Sequence, residues 1–157
     1  IDPPLMASLI DRPVSYMAKI ELFENPIFGA AIRRCHAFPV KRGASDRGAI
    51  KAAVTVLKEG CVLGLFPEGT RSKTGELQKA EAGIALIAAM TGAPIVPVAI
   101  LNTHRIFANG GLIPQLRIMY GVPISFHGDR KSKESLDTFS EEIMAQIARM
   151  KDELARK

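Results

Sequence analysis

Tryptophan is absent from this chain of 157 residues, and its aromatics amount to 7 Phe and 2 Tyr. The stacking platforms on which single-stranded nucleic-acid binders rely are therefore poorly supplied. No run of Lys and Arg is longer than two, so the continuous basic footprint is missing as well, and no nucleic-acid partner is expected. Cysteine is nearly absent. Cys35 and Cys61 have neither metal-ligand spacing nor a redox C-x-x-C pattern, so they read as small buried hydrophobes in a reducing compartment, with no metal implied. A signal peptide is also missing, and the chain opens on Ile1 rather than Met, which suggests a chain trimmed at its N-terminal end.

One long uncharged run does occur, from Ala82 to Leu101. It is long enough to span a bilayer. Thr91-Gly92-Ala93-Pro94 breaks it in the middle, however, and Pro97 follows. Alanine-rich sequence before the break and β-branched residues after it read as helix, turn and buried strand rather than as a membrane span.

What the chain does have is 47% apolar residues and a net charge of +5. The first supports a real core within one domain of 1–157. The second favours acidic partners, among them anionic headgroups, phosphorylated metabolites and acidic carrier proteins. Asp2-Pro3-Pro4 has the form of a helix start, with Asp as N-cap. A strand is expected over Val14–Ala18 and a helix from Pro26 to Arg34. A further strand is expected over Cys35–Val40, then a helix capped by Ser45 or Asp46 and closed by Gly60. Cys61–Leu65 reads as a buried strand, about Ala80 to Met90 as a helix, and Pro94–Leu101 and Leu116–Ser125 as strands. The loop Asn102–Gly111 carries Ile106 and Phe107, which could touch lipid. Leu136, Phe139, Ile143, Ile147, Met150 and Leu154 recur at helical spacing and mark a C-terminal helix of about 133–156. Strands alternating with helices predict an α/β layered domain whose central sheet is mostly parallel or mixed and flanked by helices.

The densest chemistry follows the strand at Cys61–Leu65. Phe66-Pro67-Glu68-Gly69-Thr70-Arg71-Ser72 sets a carboxylate, a flexible glycine, two hydroxyls and a guanidinium on one turn where a strand emerges, which is where ligands bind in open α/β sheets. Read alone, the turn is either a site for a phosphorylated group or a salt-bridged loop. Guanidinium forks match phosphate oxygens in bidentate fashion, and Arg42 follows a separate predicted strand with Lys41 beside it. For each arginine the alternative is a surface ion pair worth little. Two of them at the ends of separate strands favour a site.

This turn resembles the hallmark block of the glycerolipid acyltransferases. Phe38-Pro39-Val40-Lys41-Arg42-Gly43 and Ile95-Val96-Pro97-Val98 resemble two further blocks of that family in order and spacing, and the resemblance runs from Ile1 to about Ile124. It implies a glycerolipid acyltransferase-like fold and transfer of a fatty acyl group from acyl-CoA or acyl carrier protein to the sn-2 hydroxyl of lysophosphatidic acid, giving phosphatidic acid in phospholipid synthesis. Other acceptors (glycerol-3-phosphate, another lysophospholipid, an ornithine lipid) and a non-catalytic lipid-binding module remain alternatives. It implies no metal or redox cofactor. It also implies peripheral association with the cytoplasmic face of a membrane, or anchoring by a missing N-terminal segment.

Residue by residue, the resemblance implies that Asp2 is the acid of a His-x4-Asp block, whose histidine would lie five residues before Asp2. His36, His104 and His127 cannot replace it, since Lys41, Asn109 and Ser132 stand five residues after them. Arg42 and Arg71, with Lys41, Gly69, Thr70 and Ser72, would hold the acceptor phosphate. Glu68 would accept a hydrogen bond from the acceptor hydroxyl or position Arg71. Many members carry a lysine where this chain has Glu81, and Lys79 could supply the charge instead. Ile27, Phe28 and Ile32 are candidates for an acyl groove, ordinary core packing being the alternative for each.

Overall fold

The computed structural model describes residues 10–40, 47–67, 83–101 and 116–156. The expected helix after Asp2, the caps Ser45 and Asp46, the first residues of the helix expected from Ala80 and the loop Asn102–Gly111 lie outside them. The described residues fall into two compact units, one ending at Phe66 and the other beginning at Pro67.

The first unit runs β1 (Val14–Lys19), a 3₁₀ turn (Ile20–Phe23), α1 (Pro26–Arg34), β2 (Ala37–Val40), α2 (Arg47–Lys58) and β3 (Val62–Gly64). All three strands are parallel, and β1 lies between β2 and β3. Consecutive residues Val14, Ser15 and Tyr16 are buried although their side chains point to opposite faces. Both faces of the sheet are thus covered, as a parallel sheet requires. The connections run in opposite directions, β1 to β2 through α1 and β2 to β3 back past β1 through α2.

Local chemistry sets the element boundaries. The Asn25 carboxamide accepts from Ile27 N and Phe28 N, both at 3.0 Å, and Pro26 opens α1, so this helix has the bounds its sequence predicts. Cys35 belongs to the helix end, its N–H donating to Ala31 O, and His36 turns the chain at φ +57. The strand therefore begins at Ala37 rather than at Cys35. Cys61 likewise finishes α2 instead of starting β3. Its N–H reaches Val56 O at 3.2 Å while Gly60, at φ +79, donates to Leu57 O, which is the Schellman arrangement.

Gly64, the last residue of β3, lies against the ring of Tyr16. A Cβ there would overlap Tyr16 Cε1 and stand 2.6 Å from Cδ1. Tyr16 is buried and its strand is central, so the ring has little room to give. Gly64→Val is expected to lower stability by about 1–3 kcal/mol or more, the usual cost of overpacking. Urea unfolding measures this, and Tyr16→Ala in the same chain should recover part of the loss.

The second unit holds α3 (Gly83–Thr91), β4 (Val98–Leu101), β5 (Arg117–Tyr120) and α4 (Lys133–Arg156). β4 and β5 are antiparallel, so the expectation of a parallel or mixed sheet resolves into a parallel triple and a separate antiparallel pair. The strand expected over Pro94–Leu101 is broken because Pro97 has no N–H to donate. Ile95 instead forms an isolated bridge with Ile124, two bonds of 2.8 Å, and pairing resumes at Val98. The uncharged run divides into α3, a turn and β4, and no helix among the described residues is long and apolar enough to cross a membrane.

Ser132 caps α4, its hydroxyl accepting from Ser135 N at 3.2 Å. The helix buries Phe139, Ile143, Met150 and Leu154, four of the six positions that marked it in the sequence. Phe139 and Ile143 pack on Ala85 and Ala88 of α3, where small side chains let the helices approach closely. Phe126 meets Phe139 edge to face at 5.3 Å. Further along, Met150 and Leu154 close over Ala99 of β4.

Candidate functional site

β2 and β3 run parallel to β1 on its two sides, so all three strands discharge the chain at one edge of the sheet. The two outer strands lie about 9–10 Å apart, two strand spacings. Register places Gly64 and Ala37 level with Tyr16, whereas Val40 is level with Lys19. β3 therefore ends three residues, roughly 10 Å, short of β2 along the sheet. Past Tyr16, β1 therefore has no ladder partner on its β3 side among the described residues.

The connections run to one side of β1 and then to the other, so the strand order reverses between β1 and β3. Reversal points at the carboxyl ends of parallel strands are where open α/β sheets bind ligands, because the loops diverge there and leave a crevice. Two of the sequence blocks feed this edge: Lys41 and Arg42 follow Val40, and Glu68 follows Pro67. Asp2, Lys41, Arg42, Glu68, Gly69, Thr70, Arg71 and Ser72 themselves lie outside the described residues. Lys19 is a cation at the same edge that no motif pointed to. It ends β1 beside Val40 and is exposed. The only sequence signal was its place directly after the alternating run Val14–Ala18.

The three residues expected to line an acyl groove are all on α1. Ile27 and Phe28 stand exposed and Ile32 is half-buried, so core packing does not account for the first two. Cys35 is exposed and Cys61 half-buried, which corrects the reading of both as buried hydrophobes: each lies at a helix end rather than inside a strand. Among the described residues, no three His, Cys, Asp or Glu side chains come together as a metal site.

A concavity of about 350 Å³ opens in the other unit between Ser125–Gly128 and the first turns of α4. Glu134 and Glu142 line it with a single His127. Two carboxylates make it a poor host for a phosphate, and no sequence block leads to it.

The order reversal of the parallel sheet thus lies where the Arg42 block and the Glu68-Gly69-Thr70-Arg71 block follow the two outer strands in sequence. The chain belongs to the Acyltransferase family, whose sequence model matches residues 1–101. A 1-acyl-sn-glycerol-3-phosphate acyltransferase of Bacillus subtilis is 32% identical to it over 155 residues, covering 96% of this chain and 75% of that protein. The enzyme of the same name from Streptococcus pneumoniae is 34% identical over 157 residues, which is 97% of this chain and 57% of that protein. The crystal structure of the 1-acyl-sn-glycerophosphate acyltransferase PlsC from Thermotoga maritima matches with a TM-score of 0.74 at 27% identity, over 99% of this chain and 62% of that one. The chain thus spans between just over half and three quarters of the length of these relatives.

Proposed function

We propose that the protein is a 1-acyl-sn-glycerol-3-phosphate acyltransferase, moving a fatty acyl group from acyl-CoA or acyl carrier protein to the sn-2 hydroxyl of lysophosphatidic acid. The product is phosphatidic acid, and the protein works in phospholipid synthesis at a membrane surface, on the cytoplasmic side. One observation carries the reading: the strand that precedes Glu68-Gly69-Thr70-Arg71 ends beside the order reversal of a parallel sheet.

The chemistry needs a base, an anion clamp and a thioester. A glycerol hydroxyl is a poor nucleophile. The histidine expected five residues before Asp2 takes its proton as the oxygen attacks the thioester carbonyl, a form of assistance that contributes about 10²–10⁴ in rate. The C–O bond forms, the C–S bond breaks, and the imidazolium returns the proton to the leaving thiolate. Asp2 holds the imidazole tautomer and stabilises its charged form. No protein nucleophile is required, because the acceptor itself attacks. Arg42 and Arg71 clamp the acceptor phosphate, with Thr70 and Ser72 donating to it and Lys41 and Lys19 adding positive potential. Gly69 lets the backbone come close to it. Glu68 orients the acceptor hydroxyl or Arg71 rather than facing the phosphate.

The test is acyl transfer by the complete protein, with product mass spectrometry, from acyl-CoA and from acyl carrier protein. Lysophosphatidic acid, glycerol-3-phosphate, a larger lysophospholipid and an ornithine lipid are offered side by side. Phosphatidic acid is expected as the preferred product. Failure to acylate any lysophospholipid or glycerol phosphate would overturn the reading and favour a lipid-binding module.

A further inference from the structure

Amphipathic helices on globular domains turn their apolar stripe inward. α1 does the reverse. Of its nine residues only Gly29 is buried, while Ile27 is 84% exposed and Phe28 49%. The 3₁₀ turn just before it adds Ile20 and Leu22, at 37% and 42%. Four large apolar side chains within nine residues of sequence thus face out of the first unit.

Close packing and a cap define this surface. Gly29 packs so closely on Phe23 that a Cβ would stand 2.9 Å from the Phe23 carbonyl oxygen, which fastens the helix to the turn. The Arg33 guanidinium lies 4.8 Å from the centre of the Phe23 ring. Asn25 caps the very turn that carries Ile27 and Phe28. The apolar pair therefore sits at a capped, well-formed helix end.

We propose that the turn Ile20–Phe23 and α1 seat the protein on an anionic lipid surface, with Ile27 and Phe28 entering the headgroup–acyl boundary. Charge supports that occupant. Lys19 precedes the patch and Arg33-Arg34 close it, against Glu21 and Glu24 as its acids. Cations bracketing an apolar patch suit a leaflet carrying phosphate headgroups. Position supports it too, since the turn leaves the carboxyl end of β1 directly, at the sheet edge that holds the candidate site. The inference rests on the proposed function in one respect: lysophosphatidic acid and phosphatidic acid are amphiphiles that reside in bilayers, so the site must face one. An acyl groove built from these residues would enclose Ile27, which instead projects almost fully into solvent.

The chain contains no Trp, so Ile27→Trp, in a background free of other tryptophans, places an indole reporter on the patch. Phosphatidylcholine vesicles with brominated acyl chains, free of any acyl donor or acceptor, should shift its emission to the blue and quench it, more strongly once phosphatidylglycerol is included. Lys58→Trp on α2 should stay unquenched. Ile27→Glu with Phe28→Glu should weaken vesicle partition about tenfold or more while leaving the unfolding midpoint unchanged, given what burying two such side chains contributes. If the indole introduced by Ile27→Trp stays unquenched, the proposal is overturned. So it is by a shift produced only by a long-chain acyl donor without vesicles, which would mark an acyl groove. A dimer that the double variant splits into monomers would mark an interface between copies and overturn it as well. Because no turnover is read, quenching in a protein that transfers no acyl group would retire the acyltransferase reading and leave the docking surface standing.

Discussion

Asp2→Asn, in the protein carrying the upstream histidine, is expected to lower kcat by about 10²–10⁴ while the acceptor KM stays nearly constant. The substitution is chosen for what it preserves. Asn caps a helix about as well as Asp, so if Asp2 only started the helix that its sequence announces, the variant would be close to silent. What Asn cannot do is carry the charge that stabilises imidazolium, or enforce the tautomer that leaves one ring nitrogen free to accept a proton. Steady-state kinetics with an unchanged unfolding midpoint would assign Asp2 to the base. A variant that is fully active and equally stable would reduce it to a cap.

The elements legible in the sequence were those whose ends are chemically marked. Pro26 opens α1, Gly60 closes α2, and the spacing of Phe139, Ile143, Met150 and Leu154 reports the buried face of α4. Less legible was where strands stop, because this depends on partners rather than on the run itself. Pro97 interrupts a run that reads as one strand, and Cys61 is recruited by the helix before it. The order β2-β1-β3, which sets the reversal point, is a product of tertiary pairing and leaves no local mark. Periodicity identifies α1 as amphipathic but cannot say whether its apolar face finds a partner, so Ile27 and Phe28 fit a groove or a core in sequence terms. Of the candidate site, the residue blocks and their order were legible through the family resemblance. The shape of the sheet edge and the cation Lys19 came from the fold.

Arg71→Ala should lower kcat/KM for lysophosphatidic acid by about 10²–10³, the loss typical when one preorganised donor to an anionic group is removed. Coulomb attraction alone would make any nearby cation adequate. A guanidinium differs because its fork meets two phosphate oxygens at once, so Arg71→Lys should recover only part of the loss. An exposed ion pair with Glu68, the alternative role, would contribute about 1 kcal/mol or less. That would be felt as stability, not as acceptor preference. The two roles are separated by offering an acceptor without phosphate.

The most direct measurement is the ratio of kcat/KM for lysophosphatidic acid to that for a monoacylglycerol of the same chain, in wild type and in Arg71→Ala. If the edge beside β1 and β3 is a phosphate clamp, the ratio collapses in the variant while monoacylglycerol turnover holds near its low wild-type value. If both acceptors fall together, or neither falls, the turn Phe66–Ser72 does not read the phosphate, and the assignment of this edge to acceptor binding is contradicted.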